Sequence, residues 1–404
     1  MKNALRLLFS FYLAFVISLS VAPAALGQEG PAASAAAMPG QDLAPPAVAA
    51  KAAVVINADN GEVVFSLNPD ERLPMASTTK MMTALLIVEN HADDLNSLVT
   101  CSQRAAEIGE SSIWLEAGEK LTCGDMLTGL LVQSGNDAAV ALAEFDAGSV
   151  EAFVEKMNKR AAELGLTNTH FVNPHGLHDP GHYTSAADFV KLGREVMKHT
   201  EIRERVAEAE ATIPWAGQPF GRSLVNHNHL LGLYPGVNGI KTGFTDEAGQ
   251  CIVISASENG TDLILAYLGG PSISQRDSDV ISLLQYGFGS YQRKTVIEQG
   301  AEYTSVDVPF NYGRELALVS DASLTKKVFI RDSIDHRMVL PDKIHLPIHK
   351  GDKIGLVEAY EGNKYLGSTY LVAVDDVPTP GIKERINYYV EAVYNVLLSA
   401  IRLG

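Results

Sequence analysis

Two hairpin signals bracket a run of helices, and this order constrains the fold more than any other feature. Near the start, residues 53–57 and 62–66 flank Asn60-Gly61, a pair suited to a tight turn because both residues accept positive φ. Far downstream, the apolar runs 250–256 and 263–268 are joined in the same way through Asn259-Gly260. Between them, Met81, Met82, Leu85, Leu86 and Val88 recur near helical spacing, and 124–133, 137–145, 150–164 and 185–198 also read as helices. A further helix is expected from Asp277 to Tyr291. Strands joined as hairpins pair antiparallel, and the helices must cover the sheet they form. The expected fold class is therefore α/β in layers, an antiparallel sheet flanked by helices, and not a doubly wound parallel sheet.

From Glu302 to Ala373 the pattern changes. Short β runs at 303–308, 316–320, 327–330, 353–360 and 364–374 are separated by Gly, Asp, Asn and Pro, with Gly362-Asn363 as a hairpin turn. These signals predict a C-terminal all-β domain, a small sandwich or barrel.

Polar motifs sit where such a framework changes element. Ser77-Thr78-Thr79-Lys80 opens a long helix, and residues at i and i+3 share a helix face. A serine there feels the positive end of the helix dipole, which favours a developing alkoxide. A free lysine, with a pKa of about 10.4, is a poor base at neutral pH. Burial beside a second cation lowers it, and Lys241 is the candidate cation. Ser134-Gly135-Asn136 lies between two apolar helices. Lys241-Thr242-Gly243 follows Val237-Asn238-Gly239-Ile240 on an expected edge strand. Each motif also has a plain structural reading: Ser77 and Ser134 suit helix caps.

All three motifs, in this order and spacing, resemble the set found in serine acyl-enzyme hydrolases of D-alanyl-D-alanine or β-lactams. Over residues 50–404 the chain is similar to the serine-type D-Ala-D-Ala carboxypeptidases of peptidase family S11, the low-molecular-mass penicillin-binding proteins. The resemblance implies a β-lactamase/transpeptidase-like catalytic domain. Ser77 would be the nucleophile, Lys80 its base and Ser134 a proton relay. Asn136 would hold the substrate amide, and Lys241 and Thr242 the terminal carboxylate. Gly243 would let the substrate backbone lie against the strand. The backbone N–H groups of Ser77 and Phe244 would form the oxyanion hole. Some relatives carry His at the position of Phe244, so substrate preference stays open. Arg276 either adds positive charge near the carboxylate or makes a surface salt bridge. No metal or organic cofactor is implied. The expected partners are peptidoglycan stem peptides ending in D-Ala-D-Ala, β-lactams as covalent inhibitors and a membrane surface. A serine β-lactamase and a catalytically silent cell-wall-binding protein are the rival readings. The first lacks a clear deacylating glutamate; the second is opposed by three intact motifs.

The N-terminus points to export. Lys2 and Arg6 precede an uncharged apolar run at 7–21 and the small residues Ala22, Ala24, Ala25 and Gly27, the layout of a cleaved secretory signal over 1–27. Residues 28–50, rich in Ala, Pro and Gly, read as a disordered linker. The catalytic domain is expected at 51–298, the β-rich domain at 299–377 and a tail helix at 378–404. With a net charge of -16, the chain carries no basic footprint for nucleic acid. Cys101 and Cys123 end two short segments that suit a two-stranded ribbon, and in an oxidising compartment they are either a disulfide or two thiols. His175, His178 and His182 are spaced like a zinc cluster, but Pro180-Gly181 breaks any helix that would align them. The tail places Ile382, Ile386, Tyr389, Val393, Val396, Leu397, Ala400 and Ile401 largely on one side. Its longest uncharged stretch is too short to span a bilayer. It is expected to lie in the membrane interface on the outer face of the cytoplasmic membrane, with a docked helix as the alternative.

Overall fold

The computed structural model describes residues 44–402 apart from Tyr312, and side chains only as far as residue 394. The expected signal peptide and most of the linker lie outside the described residues. The linker's last residues do not behave as a free spacer. Val48 and Ala50 pack against the core, and the Ala49 N–H donates to Asp279 Oδ2 at 2.7 Å.

The first hairpin is β1 (Ala52–Asn57) and β2 (Val63–Leu67), and the helix block opens with α1 (Lys80–His91). Next come β3 (Leu98–Thr100), α2 (Gln103–Glu107), β4 (Lys120–Thr122), α3 (Cys123–Leu131), α4 (Asn136–Ala147) and α5 (Val150–Glu163). After α6 (Ala186–Val196) and α7 (Thr200–Val206) lies a small hairpin, β5 (Glu210–Ile213) and β6 (Arg222–Val225). The later sheet strands are β7 (Val237–Thr245), β8 (Gly249–Glu258) and β9 (Thr261–Gly270), followed by α8 (Ile273–Gly289).

The two hairpin regions meet in one antiparallel sheet of order β2-β1-β9-β8-β7. Alternation along the strands splits the core in two. Val54, Ile56, Val253, Ile264 and Ala266 face the helices α1, α3, α4, α5 and α6. Ala53, Val55, Ile252, Ile254 and Leu265 face α8 through Val280, Leu283 and Leu284. The central helix α1 is buried from Lys80 to Val88, so its sequence reads as apolar on nearly every face. In α4, Asn136 to Ala143 are likewise buried.

Two boundaries differ from the sequence expectation. The helix α8 begins at Ile273, where Ser272 Oγ accepts from the Gln275 N–H as an N-cap, which puts Arg276 inside the first turn. Tyr291 is not helical. It opens β10 (Tyr291–Ile297), which pairs with β13 (Leu324–Phe329), so the β-rich part starts eight residues before position 299. The polar stretch from Gln292 to Thr295 in β10 offered no apolar run to read; its pairing is a long-range event. The rest of this part comprises β11 (Glu302–Asp307), β12 (Glu315–Ser320), β14 (Ile334–Val339), β15 (Lys353–Glu361) and β16 (Lys364–Ala373), in a sheet of order β11-β12-β16-β15-β14. The two sheets share a core that includes Ile297, Leu318, Val328, Val357 and Leu371, a small sandwich. The helix α9 (Ile382–Arg402) follows.

The strands β3 and β4 form the expected ribbon, and its register excludes the disulfide. Leu98 pairs with Thr122 and Thr100 with Lys120. Each cysteine follows its own strand, so antiparallel pairing sends them to opposite ends: the Cys101 N–H donates to Glu119 O and the Cys123 N–H to Ser97 O. Both thiols are free and buried.

Candidate active site

The nucleophile motif folds as a single 3-10 turn, Ala76–Thr79, feeding α1. Ala76 has φ 49°, a left-handed conformation that costs an alanine roughly 1–2 kcal/mol. Its surroundings hold it there. Gly176, at φ +96°, lies so close that a Cβ would stand 2.0 Å from Ala76 O. Ser77 makes no cap; its hydroxyl faces the lysine instead.

Lys80 is fully buried, and its Nζ reaches Ser77 Oγ at 2.9 Å, Asn136 Oδ1 at 2.7 Å and His175 O at 2.8 Å. Burial, then the charge of Lys241, holds Lys80 well below the ordinary lysine range, against the opposing pull of Asp137 and Glu110. Two of the three partners, the amide oxygen and the peptide carbonyl, can only accept. When the amine is neutral its two protons go to them. Its lone pair is then left facing the one partner that can donate, the Ser77 hydroxyl.

Asn136 opens α4 and is buried. Its Nδ2 donates to Gly109 O at 2.8 Å, so in the free protein both ends of this amide are already engaged in fixing Lys80. Ser134 is buried at φ 65°, and among the described residues its hydroxyl has no hydrogen-bond partner. Such an unengaged hydroxyl beside the lysine's amide partner suits a proton relay. Asp137 carries a structural task that the sequence did not reveal. Its buried carboxylate accepts from the Ile113 and Leu115 N–H groups, at 3.0 and 3.1 Å, and from Ser112 Oγ at 2.6 Å, so it holds the 111–115 loop against the site.

The strand β7 is the sheet edge, so one row of its backbone groups has no strand partner. Gly243 brings it against the nucleophile turn: a Cβ there would lie 2.8 Å from Ser77 N and 3.0 Å from Thr78 N. Lys241 and Thr242 are buried, whereas Phe244 is 54% exposed. Burial, then the charge of Arg276, lowers Lys241 to about 7. Arg276 is itself buried. Its Nη2 and Nε donate to Asp277 Oδ1 at 2.7 and 2.9 Å, so it forms an ion pair and also acts on Lys241.

Sequence reasoning met His175 only as part of a zinc-like spacing and missed its backbone role. Its carbonyl supports Lys80, while burial, then the Lys80 charge, pushes its imidazole down to about 3. His182 is lowered to about 4, mainly by burial. Its Nδ1 accepts from the Val172 N–H, and its Nε2 donates to Thr79 Oγ1, which donates onward to Ala76 O. His178 is exposed. The three histidines are thus given separate surroundings. The cluster Asn173-Pro174-His175-Gly176 was the one available signal, a run of turn residues.

Residues 40–272 match the family model described as D-alanyl-D-alanine carboxypeptidase, and residues 291–379 match the penicillin-binding protein 5 C-terminal domain. The chain is 36% identical to D-alanyl-D-alanine carboxypeptidase DacF of Bacillus subtilis strain 168, over 82% of this chain and 87% of that protein. It is 30% identical to DacA of Escherichia coli K12, over 87% and 89%. Penicillin-binding protein 5 from Haemophilus influenzae superposes with a TM-score of 0.60 at 30% identity, covering 83% of this chain and 100% of that one.

Proposed function

The chain belongs to the D-alanyl-D-alanine carboxypeptidases of peptidase family S11, and on that footing we propose how its own residues divide the work. It is a serine D-Ala-D-Ala carboxypeptidase and a penicillin-binding protein. One observation carries the residue roles: the three partners of Lys80 Nζ, two of them acceptor-only, which aim the neutral amine at Ser77.

Ser77 Oγ attacks the carbonyl carbon of the penultimate D-alanine while Lys80 takes its proton. The developing oxyanion is met by the N–H of Ser77, in the first turn of a helix where N–H groups lack helical acceptors, and by that of Phe244 on the edge strand. The C–N bond then breaks, and the Ser134 hydroxyl passes a proton to the leaving amine of the terminal D-alanine. Water hydrolyses the Ser77 ester, returning the hydroxyl. Lys241 and Thr242 hold the terminal carboxylate, with Arg276 as a second positive charge behind them. Asn136 serves first as the clamp on Lys80. The test is a fluorescent penicillin followed by peptide mapping: the label should sit on the peptide containing Ser77, and a label elsewhere or none would overturn the assignment.

Lys241→Gln should remove a charge-assisted contact of about 1.5–3 kcal/mol, about ten- to a hundredfold in kcat/KM. Lys241 binds the carboxylate in its protonated form, and burial, then the Arg276 charge, lowers its pKa to about 7. Since kcat/KM reports free-enzyme groups, it should fall as pH rises through that value. The Gln variant should lose that alkaline limb. An unchanged profile and efficiency would remove Lys241 from the carboxylate site.

The tail is read as a peripheral membrane anchor of an exported enzyme. Supporting this, Ile382, Ile386, Tyr389, Val390 and Val393 of α9 are all more than half exposed, an apolar stripe largely open to solvent, although the Tyr389 ring also lies 6.3 Å from that of Phe310. Among the described residues no helix is long and apolar enough to cross a membrane. With few basic residues in the tail, attachment would rest on apolar burial. A chain ending at Pro378 should stay folded and active and leave the membrane fraction. A lower melting temperature with aggregation would favour a docked helix instead.

A further inference from the structure

The chain's two tryptophans stand together at the protein surface. Trp114 is 51% exposed. Its ring lies 6.3 Å from that of Trp215 at 19°, and Trp215 meets Phe220, 61% exposed, edge-on at 6.0 Å. Tryptophan gains more than most residues from burial, so a clustered, open aromatic surface calls for a partner.

The cluster is built, not incidental. Trp114 has φ 58°, a conformation that is an outlier for so bulky a residue and that persists only when its neighbours enforce it. The enforcing contacts are the Asp137 carboxylate, which takes the N–H groups of Ile113 and Leu115 on either side, and Ser112 Oγ, which takes that of Trp114 at 2.7 Å. The other two rings ride on the loop between β5 and β6. That hairpin is pinned by Arg222, fully buried, whose Nη2 donates to the buried Glu119 Oε1 at 2.6 Å and whose Cζ lies 5.2 Å from the centre of the Trp215 ring.

Both halves are also fastened to the catalytic motif. The Val225 N–H donates to Gln133 Oε1 at 3.0 Å, next to Ser134, and the Asn136 N–H donates to Ser111 O at 2.8 Å. Each half of the aromatic cluster is thus tied by a hydrogen bond to a residue in or next to the Ser134–Asn136 motif. Resting on the carboxypeptidase reading, we infer that these rings form a sugar-stacking subsite for the N-acetylated hexosamine strand that carries the stem peptide. Flat aromatic faces match the C–H faces of pyranose rings, which are apolar and uncharged. A stem peptide lying along β7 brings its glycan to the rim of the cleft, where the rings wait.

Because both tryptophans lie in the proposed subsite, their intrinsic fluorescence reports on it without a label. Titration of the full chain with a peptide-free β-1,4-linked N-acetylglucosamine tetramer should give a saturable emission change. Phe220→Ala, at an exposed loop position, should weaken that binding about three- to tenfold. D-alanine release is then compared for a disaccharide-linked and a free peptide of the same sequence. The linked form should have the lower KM, and Phe220→Ala and Trp215→Ala should each bring the ratio of the two KM values toward one. No saturable response together with equal KM values for the native chain would overturn the subsite. So would an emission change with phospholipid vesicles and none with the tetramer. Failure to release D-alanine from either peptide would instead overturn the carboxypeptidase reading, so the two failures are distinguishable.

Discussion

Replacing Ser77 by alanine is expected to abolish both D-alanine release and covalent penicillin binding. The reaction needs an oxygen that forms an ester, and this variant removes that atom alone. The change is small and local: the Ser77 side chain caps nothing, and its one polar contact within the described residues is with Lys80. The variant should therefore fold and still bind substrate non-covalently through β7. Turnover measured alongside penicillin labelling reads the result. Near-normal release from this variant would end the acyl-enzyme mechanism.

Lys80→Met should follow closely, with acylation slowed about 10²- to 10⁴-fold, the usual contribution of a positioned general base. Methionine fills similar space but brings no donor. Asn136 Oδ1 and His175 O then lose a hydrogen bond, at about 1–3 kcal/mol for each buried group left unsatisfied. Removal of a costly buried amine offsets part of this. The melting point should drop modestly while the acylation rate collapses. Stopped-flow penicillin acylation and a thermal melt separate the two. A rate within tenfold of the parent would show that another group takes the Ser77 proton.

Much of the site was legible because its chemistry is carried by short, local runs. Ser77 and Lys80 are one helical turn apart, so sequence spacing alone puts them on one face. Lys241, Thr242 and Gly243 are consecutive on a strand. In sequence, Gly243 reads as room for a substrate backbone, whereas the packed molecule adds a different reason, a nucleophile turn that leaves no room for a Cβ. What sequence could not show is the support from behind. The His175 carbonyl reaches Lys80 across 95 residues, and Asp137 fastens a loop more than 20 residues away. A carbonyl has no side-chain signature, and a buried carboxylate looks like any acidic helix start until its donors are seen.

The same division runs through the fold. Periodicity and the two Asn-Gly turns determined the helices, the hairpins and antiparallel pairing, because these depend on residues a few positions apart. Tertiary structure alone decided that β1 lies beside β9, that β10 leaves the helix before it to join β13, and that antiparallel register separates Cys101 from Cys123. It also decided the state of the two lysines. Sequence places amines in the chain, but only burial and the proximity of a second charge lower their affinity for protons, and both are properties of the packed molecule.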